Sequence, residues 1–191
     1  ASGVDAAEVH DHEIFGPATT LIPYDSVESM IAAVRRGGGG LVAGVGSALK
    51  ALKPAIKVWG VEPETAAPTA RSLEMGSPQV FEGWQASFVD GAGGRSVFPR
   101  MWERMKPVLD GCIVVSLEQT RQAMRLLAEK SRVIAEGAGA LSVAAALTGK
   151  AGQGPIVAIV SGGNVDLKKF CELLGERHAS MPASLRLAAR A

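Results

Sequence analysis

The chain is poor in cysteine, in aromatic residues and in surplus charge, and each shortage removes a class of protein. Two cysteines, Cys112 and Cys171, cannot build a disulfide scaffold. Their apolar flanks predict two buried thiols in a reducing compartment, which makes the cytoplasm the expected location. Aromatic residues make up 5% of the sequence, and 20 Lys plus Arg stand against 19 Asp plus Glu. There is no basic stripe with interleaved aromatics, so no nucleic-acid partner is expected. No run of 18 apolar residues and no positively charged leader occurs, so no membrane partner is expected either. A hydrophobic fraction of 47% is too high for disorder and fits a globular chain with a hydrophobic core.

Glycine is abundant, with 23 residues, and many are clustered. Gly37 to Gly40, Gly91 with Gly93 and Gly94, Gly137 with Gly139, and Gly162 with Gly163 mostly lie beside apolar runs. Such clusters place backbone close to something, often an anion.

Residues 41–52 carry small and apolar side chains at helical spacing, ended by Pro54. Residues 56–61 read as a strand closed by Glu62-Pro63, and Thr69 to Met75 as a helix with Gly76 just past its end. Residues 77–97 have no period and read as loop, followed by a short helix from Phe98 to Lys106. Cys112 to Val115 is a compact apolar strand. Ser116 and Gln119 have capping-box spacing for a helix reaching about Lys130, with Ala123, Met124, Leu126 and Leu127 inward. Ala138 to Leu147 is a buried helix ended by Gly149. Pro155 to Val160 is an unalternating strand suited to a parallel sheet, and Val165 to Leu174 is the closing helix. This alternation predicts an α/β fold, an open parallel sheet with helices on both faces and a site beyond the strands' carboxyl ends.

Three pieces carry chemistry. Gly37-Gly38-Gly39-Gly40 ahead of an apolar helix is either a flexible linker or an amide nest for a phosphate. It matches neither the P-loop nor the dinucleotide fingerprint. Ser161-Gly162-Gly163-Asn164 is either an ordinary capped turn or a hydroxyl facing a ring nitrogen in a crevice. Glu136 is either a first-turn acid or a charged group turned into a cleft.

In order, Gly-Gly-Gly-Gly-Leu, Val-Trp-Gly-Val-Glu-Pro, Glu-Gly-Ala-Gly-Ala and Val-Ser-Gly-Gly-Asn-Val-Asp resemble the serine/threonine dehydratase and serine racemase family. These are pyridoxal-phosphate enzymes of the tryptophan-synthase-β-like fold. The resemblance spans residues 37–174 and implies pyridoxal 5'-phosphate as cofactor. Its phosphate would lie on Gly37, Gly38, Gly39, Gly40 and Leu41, its ring near Asp90-Gly91, and its pyridine nitrogen opposite Ser161, beside Gly162. A neutral hydroxyl there leaves that nitrogen largely unprotonated and suits β-elimination. The implied activity is loss of water from a threonine- or serine-like amino acid, in a homodimer acting on a small amino-acid substrate. Racemization, elimination from a bulkier 3-hydroxy amino acid, and an inactive cofactor-binding homologue are the alternatives.

The sequence departs from that family in three places. The Phe-Lys-x-Arg-Gly pattern that carries the cofactor-holding lysine and the Ser-Ser-Gly-Asn-His loop do not occur, and no lysine precedes Lys50, so no catalytic lysine is assigned. Residues 1–36 read as a remnant of an upstream region out of register. Tyr24-Asp25 and Gly37 stand too close for a full crossover, which predicts a missing piece between them. Residues 37–174 then form the cofactor-phosphate domain and 175–191 a tail. Finally, many racemases of the family bind a divalent cation after the Glu-Pro turn. Glu62 and Ala66 are the weak candidates here, but Pro68 stands where a second acid belongs. No metal is expected, and Glu62 reads as a surface residue at a strand end.

Overall fold

A computed structural model describes residues 39–175. Gly37, Gly38 and the segment in which a missing piece was expected lie outside the described residues, as does most of the tail.

Helix α1, Gly40–Leu52, is built from small residues that allow close approach. A Cβ on Gly46 would stand 2.8 Å from Val108 Cγ2. Strand β1, Trp59–Pro63, leads into α2, Pro68–Met75, which ends on Gly76 at φ 70° as its sequence predicts. The irregular stretch that follows holds one isolated antiparallel bridge, Val80 to Ser96, and a single 3₁₀ turn, Asp90–Ala92. Helix α3, Pro99–Met105, returns the chain to β2, Gly111–Val115. Helix α4, Leu117–Leu126, opens on the full capping box: Ser116 Oγ accepts from the Gln119 amide, and Gln119 Oε1 accepts from the Ser116 amide. Its last turn widens to a π-helical turn, Leu127–Ser131, closed by Arg132 in the left-handed region. Helices α5, Gly137–Leu147, and α6, Leu167–Gly175, complete the order.

The fold is mixed α/β. Strands β1 and β2 pair in parallel, Trp59 opposite Gly111 through Pro63 opposite Val115. Helix α5 packs on both strands and α4 and α6 close over it, in one apolar cluster that includes Ile113, Val115, Met124, Leu141 and Phe170. A second apolar cluster joins α1 to α3 through Ala43, Met101, Trp102 and Met105. Among the described residues no helix is long and apolar enough to cross a membrane.

Three sequence expectations change. The first strand starts at Trp59 rather than residue 56, because side chains and turns use the backbone ahead of it. The Ile56 amide closes a turn on the Lys53 carbonyl, and the Val58 amide donates to Asp110 Oδ2. Pro155 to Val160 runs without a ladder among the described residues, and Val157 is 89% exposed. It is held by the Ser142 hydroxyl, which donates to the Ile159 carbonyl at 2.7 Å, and by Val160, which packs against the main apolar cluster. Neither cysteine is fully buried. Cys112 is half-buried and Cys171 exposed, since α6 turns Phe170 and Leu173 inward and Cys171 away.

Polar groups fix both ends of the strand pair. At the amino end Asp110 binds Lys50 Nζ at 2.7 Å, Lys57 Nζ at 2.9 Å and the Val58 amide at 2.9 Å. At the carboxyl end the Glu64 amide donates to the Val115 carbonyl, while Glu64 Oε1 accepts from the Leu117 amide at the start of α4.

The three donors hold the Asp110 carboxyl well below its ordinary value, the Lys50 contact contributing most. A depressed acid stabilises the fold above its unfolded pKa, and that contribution is lost as pH falls below about 4. Asp110→Asn should therefore lower stability by about 1–2 kcal/mol at neutral pH, less in high salt. The substitution should also flatten the acid limb of a denaturant-melt series; an unchanged acid limb would remove this role for Asp110.

Candidate active site

The carboxyl end of the sheet gathers three glycine-bearing segments around one side chain. Glu136 occupies the N-cap position of α5, yet makes no side-chain cap bond to its own helix. Its amide donates to the Gly162 carbonyl at 3.2 Å, and its carboxylate accepts from the Asn164 amide. A Cβ on Gly162 would stand 2.2 Å from Glu136 Oε1. A Cβ on Gly139 would stand 2.2 Å from the Gly162 carbonyl oxygen, and one on Gly91 would stand 3.0 Å from the Ala138 Cβ. At Gly139 main chain thus lies directly on main chain, which is possible only without a side chain there, while Gly162 and Gly91 leave room for the Glu136 and Ala138 side chains.

The Glu136 carboxyl is raised above its ordinary value, first by burial and then by the charge of Asp90, against the pull of the Asn164 amide. The sequence left Glu136 open between two roles, and the structure turns it away from its own helix toward the 162–164 loop. What joins the motifs is this crossing of the chain, which no single motif displays. Ser161 is half-buried, and its hydroxyl has no hydrogen-bond partner among the described residues.

The remaining cofactor candidates lie at the start of α1. Gly39 has φ 99°, and its carbonyl accepts the first helical bond, from the Ala43 amide at 3.0 Å. The amides of Gly40, Leu41 and Val42 are the helix's unused first-turn donors, and no acid stands in that turn. A Cβ on Gly39 would stand 1.9 Å from Met105 Sδ. Glycine is therefore required there by conformation and by packing, and Gly39 belongs to the α1–α3 contact whereas Gly91 and Gly162 belong to the Glu136 junction. Both donor sets suit pyridoxal phosphate: unused amides at a helix start for a phosphate, and an unpartnered hydroxyl beside side-chain-free backbone for a flat ring.

Glu62 is not the surface residue its sequence suggests. It is 9% exposed, and its oxygens accept from the Thr69 and Ala70 amides of α2, each at 2.9 Å. Burial pushes the carboxyl above its ordinary value, opposed by the bonds from Thr69, Ala70 and Cys112. Burial, then the nearby Glu62 charge, pushes the Cys112 thiol well above its ordinary value, so it stays a donor, 3.6 Å from Oε2. Among the described residues no group of three or more His, Cys, Asp or Glu side chains could hold a metal. Lys50 and Lys57 are paired with Asp110 at the amino end of the strands, opposite the Glu136 junction.

Residues 19–162 match the family described as pyridoxal-phosphate dependent enzymes. The chain is 34% identical over 168 residues to an L-threonine ammonia-lyase of Thermotoga maritima, covering 86% of this chain and 42% of that protein. It is 34% identical over 143 residues to a catabolic L-threonine dehydratase of Escherichia coli K12, covering 73% of this chain and 43% of that protein. A serine racemase structure from Dictyostelium discoideum superposes with a TM-score of 0.60 at 34% identity, over 68% of this chain and 42% of that one. The chain thus spans less than half the length of these relatives.

The two closest glycine contacts differ in what must yield. An alanine at 162 meets the far end of a flexible glutamate, while one at 139 meets a backbone carbonyl. Gly139→Ala should cost about 1–3 kcal/mol in denaturant unfolding, and Gly162→Ala distinctly less. Equal costs would place the constraint elsewhere than in the crossing.

Proposed function

Because the chain belongs to the pyridoxal-phosphate dependent enzyme family, we propose that it forms the phosphate- and ring-nitrogen-holding part of a dehydratase for serine- or threonine-like amino acids. Its cofactor is pyridoxal 5'-phosphate, which when bound supplies an electron sink for bond cleavage at the substrate's α-carbon. The amides of Gly39, Gly40 and Leu41, with Gly37 and Gly38 before them, would hold the phosphate. Ser161 would face the pyridine nitrogen as a neutral partner, with Gly162 and Gly91 beside the ring. The product would be a 2-oxo acid with ammonia. The same reading carries residues 37–174 as the cofactor-phosphate domain, 1–36 as upstream remnant and 175–191 as tail, in a cytoplasmic homodimer.

The observation that carries the reading is the half-buried, unpartnered Ser161 hydroxyl on a loop clamped to Glu136. A hydroxyl can meet an unprotonated ring nitrogen without adding charge, whereas a carboxylate would favour its protonated form. By holding Gly162 and Asn164, Glu136 would keep that hydroxyl in place and leave Asp90-Gly91 as a wall. The relatives named as threonine ammonia-lyase and threonine dehydratase support elimination, and the one named as serine racemase supports racemization as the second reading.

In the complete enzyme that carries this chain, L-threonine or L-serine should yield 2-oxo acid and ammonia in equal amounts. D-serine without 2-oxo acid would transfer the reading to the racemase. Ser161→Asp should lower elimination by about tenfold or more and shift the cofactor's absorption, since a protonated nitrogen changes the electron demand at the α-carbon. Unchanged turnover and spectrum would take Ser161 out of the site.

The 191 residues alone should not turn over. Removing the Cα proton requires a base in the site, and Lys50 and Lys57 are held at the opposite end of the strands. A borohydride-bleachable visible band from the isolated chain with pyridoxal phosphate, together with pyruvate from serine, would overturn this.

A further inference from the structure

The segment after β1 is where the family resemblance implies a divalent cation, and the residues present do not fit one. A magnesium or calcium ion takes six or more oxygen ligands, several of them carboxylates, carbonyls or retained waters. Of the segment's two acids Glu62 is buried and Glu64 turns to the Leu117 amide at the start of α4, Pro68 offers no side-chain oxygen, and Ala66 is 0% exposed. Ala67 is 4% exposed, so this stretch is turned away from bulk water.

The Glu62 carboxylate is already saturated. Its two oxygens accept from the Thr69 amide and the Ala70 amide, each at 2.9 Å, and from the Cys112 thiol at 3.6 Å. The Thr69 side chain supplies a further bond. Four donors account for the roughly four lone-pair positions of an ionised carboxylate. All of them turn their positive ends inward, so a cation approaching Glu62 meets protons rather than lone pairs.

Helix α2 in turn lacks a cap of its own. Ala67 at the N-cap makes no side-chain bond, and Pro68 in the first turn has no amide to satisfy. The remaining first-turn donors belong to Thr69 and Ala70, and Glu62 takes both. We propose that the amino end of α2 occupies the role of the divalent cation, clamping the Glu62 carboxylate so that this protein holds the end of β1 without metal.

Two measurements on the full chain test this, and neither needs catalysis. In EDTA-treated protein, magnesium, calcium or manganese chloride at millimolar concentration should shift Tm by less than about 1 °C, since no site couples the ion to folding. A saturable rise with any of the three overturns the proposal. In EDTA, Glu62→Gln should lower Tm by about 3 °C or more, because its amide nitrogen sets a donor against the Thr69 or Ala70 donor. A residue reserved for a cation would leave Tm unchanged by that substitution once the ion is gone, and that result also overturns the proposal. Should Glu62→Gln not fold, the wild-type titration decides alone.

Discussion

The carboxyl end of the sheet is organised by the contact of two glycine-rich stretches, Glu136 to Gly139 and Gly162 to Gly163. A carbonyl oxygen at Gly162 lies where any side chain at 139 would be, and a glutamate oxygen lies where any side chain at 162 would be. From that contact follow the entry angle of α5, the position of Ser161 one residue upstream and the closeness of Asp90-Gly91. A hydrogen bond and a charge-assisted one reinforce it, from the Glu136 amide to Gly162 and from the Asn164 amide to the Glu136 carboxylate. The crossing is steric first and electrostatic second, which makes Gly139 its least replaceable residue.

What the sequence showed well was local. The capping box of Ser116 and Gln119, the left-handed stop at Gly76 and the small-residue helix from Gly40 each depend on neighbours within a turn or two. The boundary of β1 depended on Asp110, more than fifty positions away in the sequence, which takes the Val58 amide before the ladder begins. Pro155 to Val160 has the composition of a buried strand, but a strand exists only beside a partner, and composition does not name one. Glu62 looked like a surface acid because helices that borrow a cap from a preceding strand carry no mark of it in their own residues. At the site, the order of the motifs was legible, while their meeting on Glu136 was a matter of crossing chains.

The two ends of the β1–β2 pair carry different chemistry. The amino end is an ion-paired knot in which Asp110 answers two lysines, and it ties α1 to both strands. The carboxyl end is acidic and glycine-rich, with Glu62, Glu64, Asp90 and Glu136 all facing main-chain donors or one another. Charge is thus spent on holding the fold at one end and on receiving backbone at the other, and the lysines are kept away from the crevice.

Two acids two residues apart at the end of β1 each seize a different helix: Glu62 the start of α2, Glu64 the start of α4. A strand that slid by one residue against β2 would turn both side chains to the wrong faces and release both helices in the same step. The arrangement works as a proofreading device for register: the sheet cannot mispair by one place while keeping these bonds to either helix.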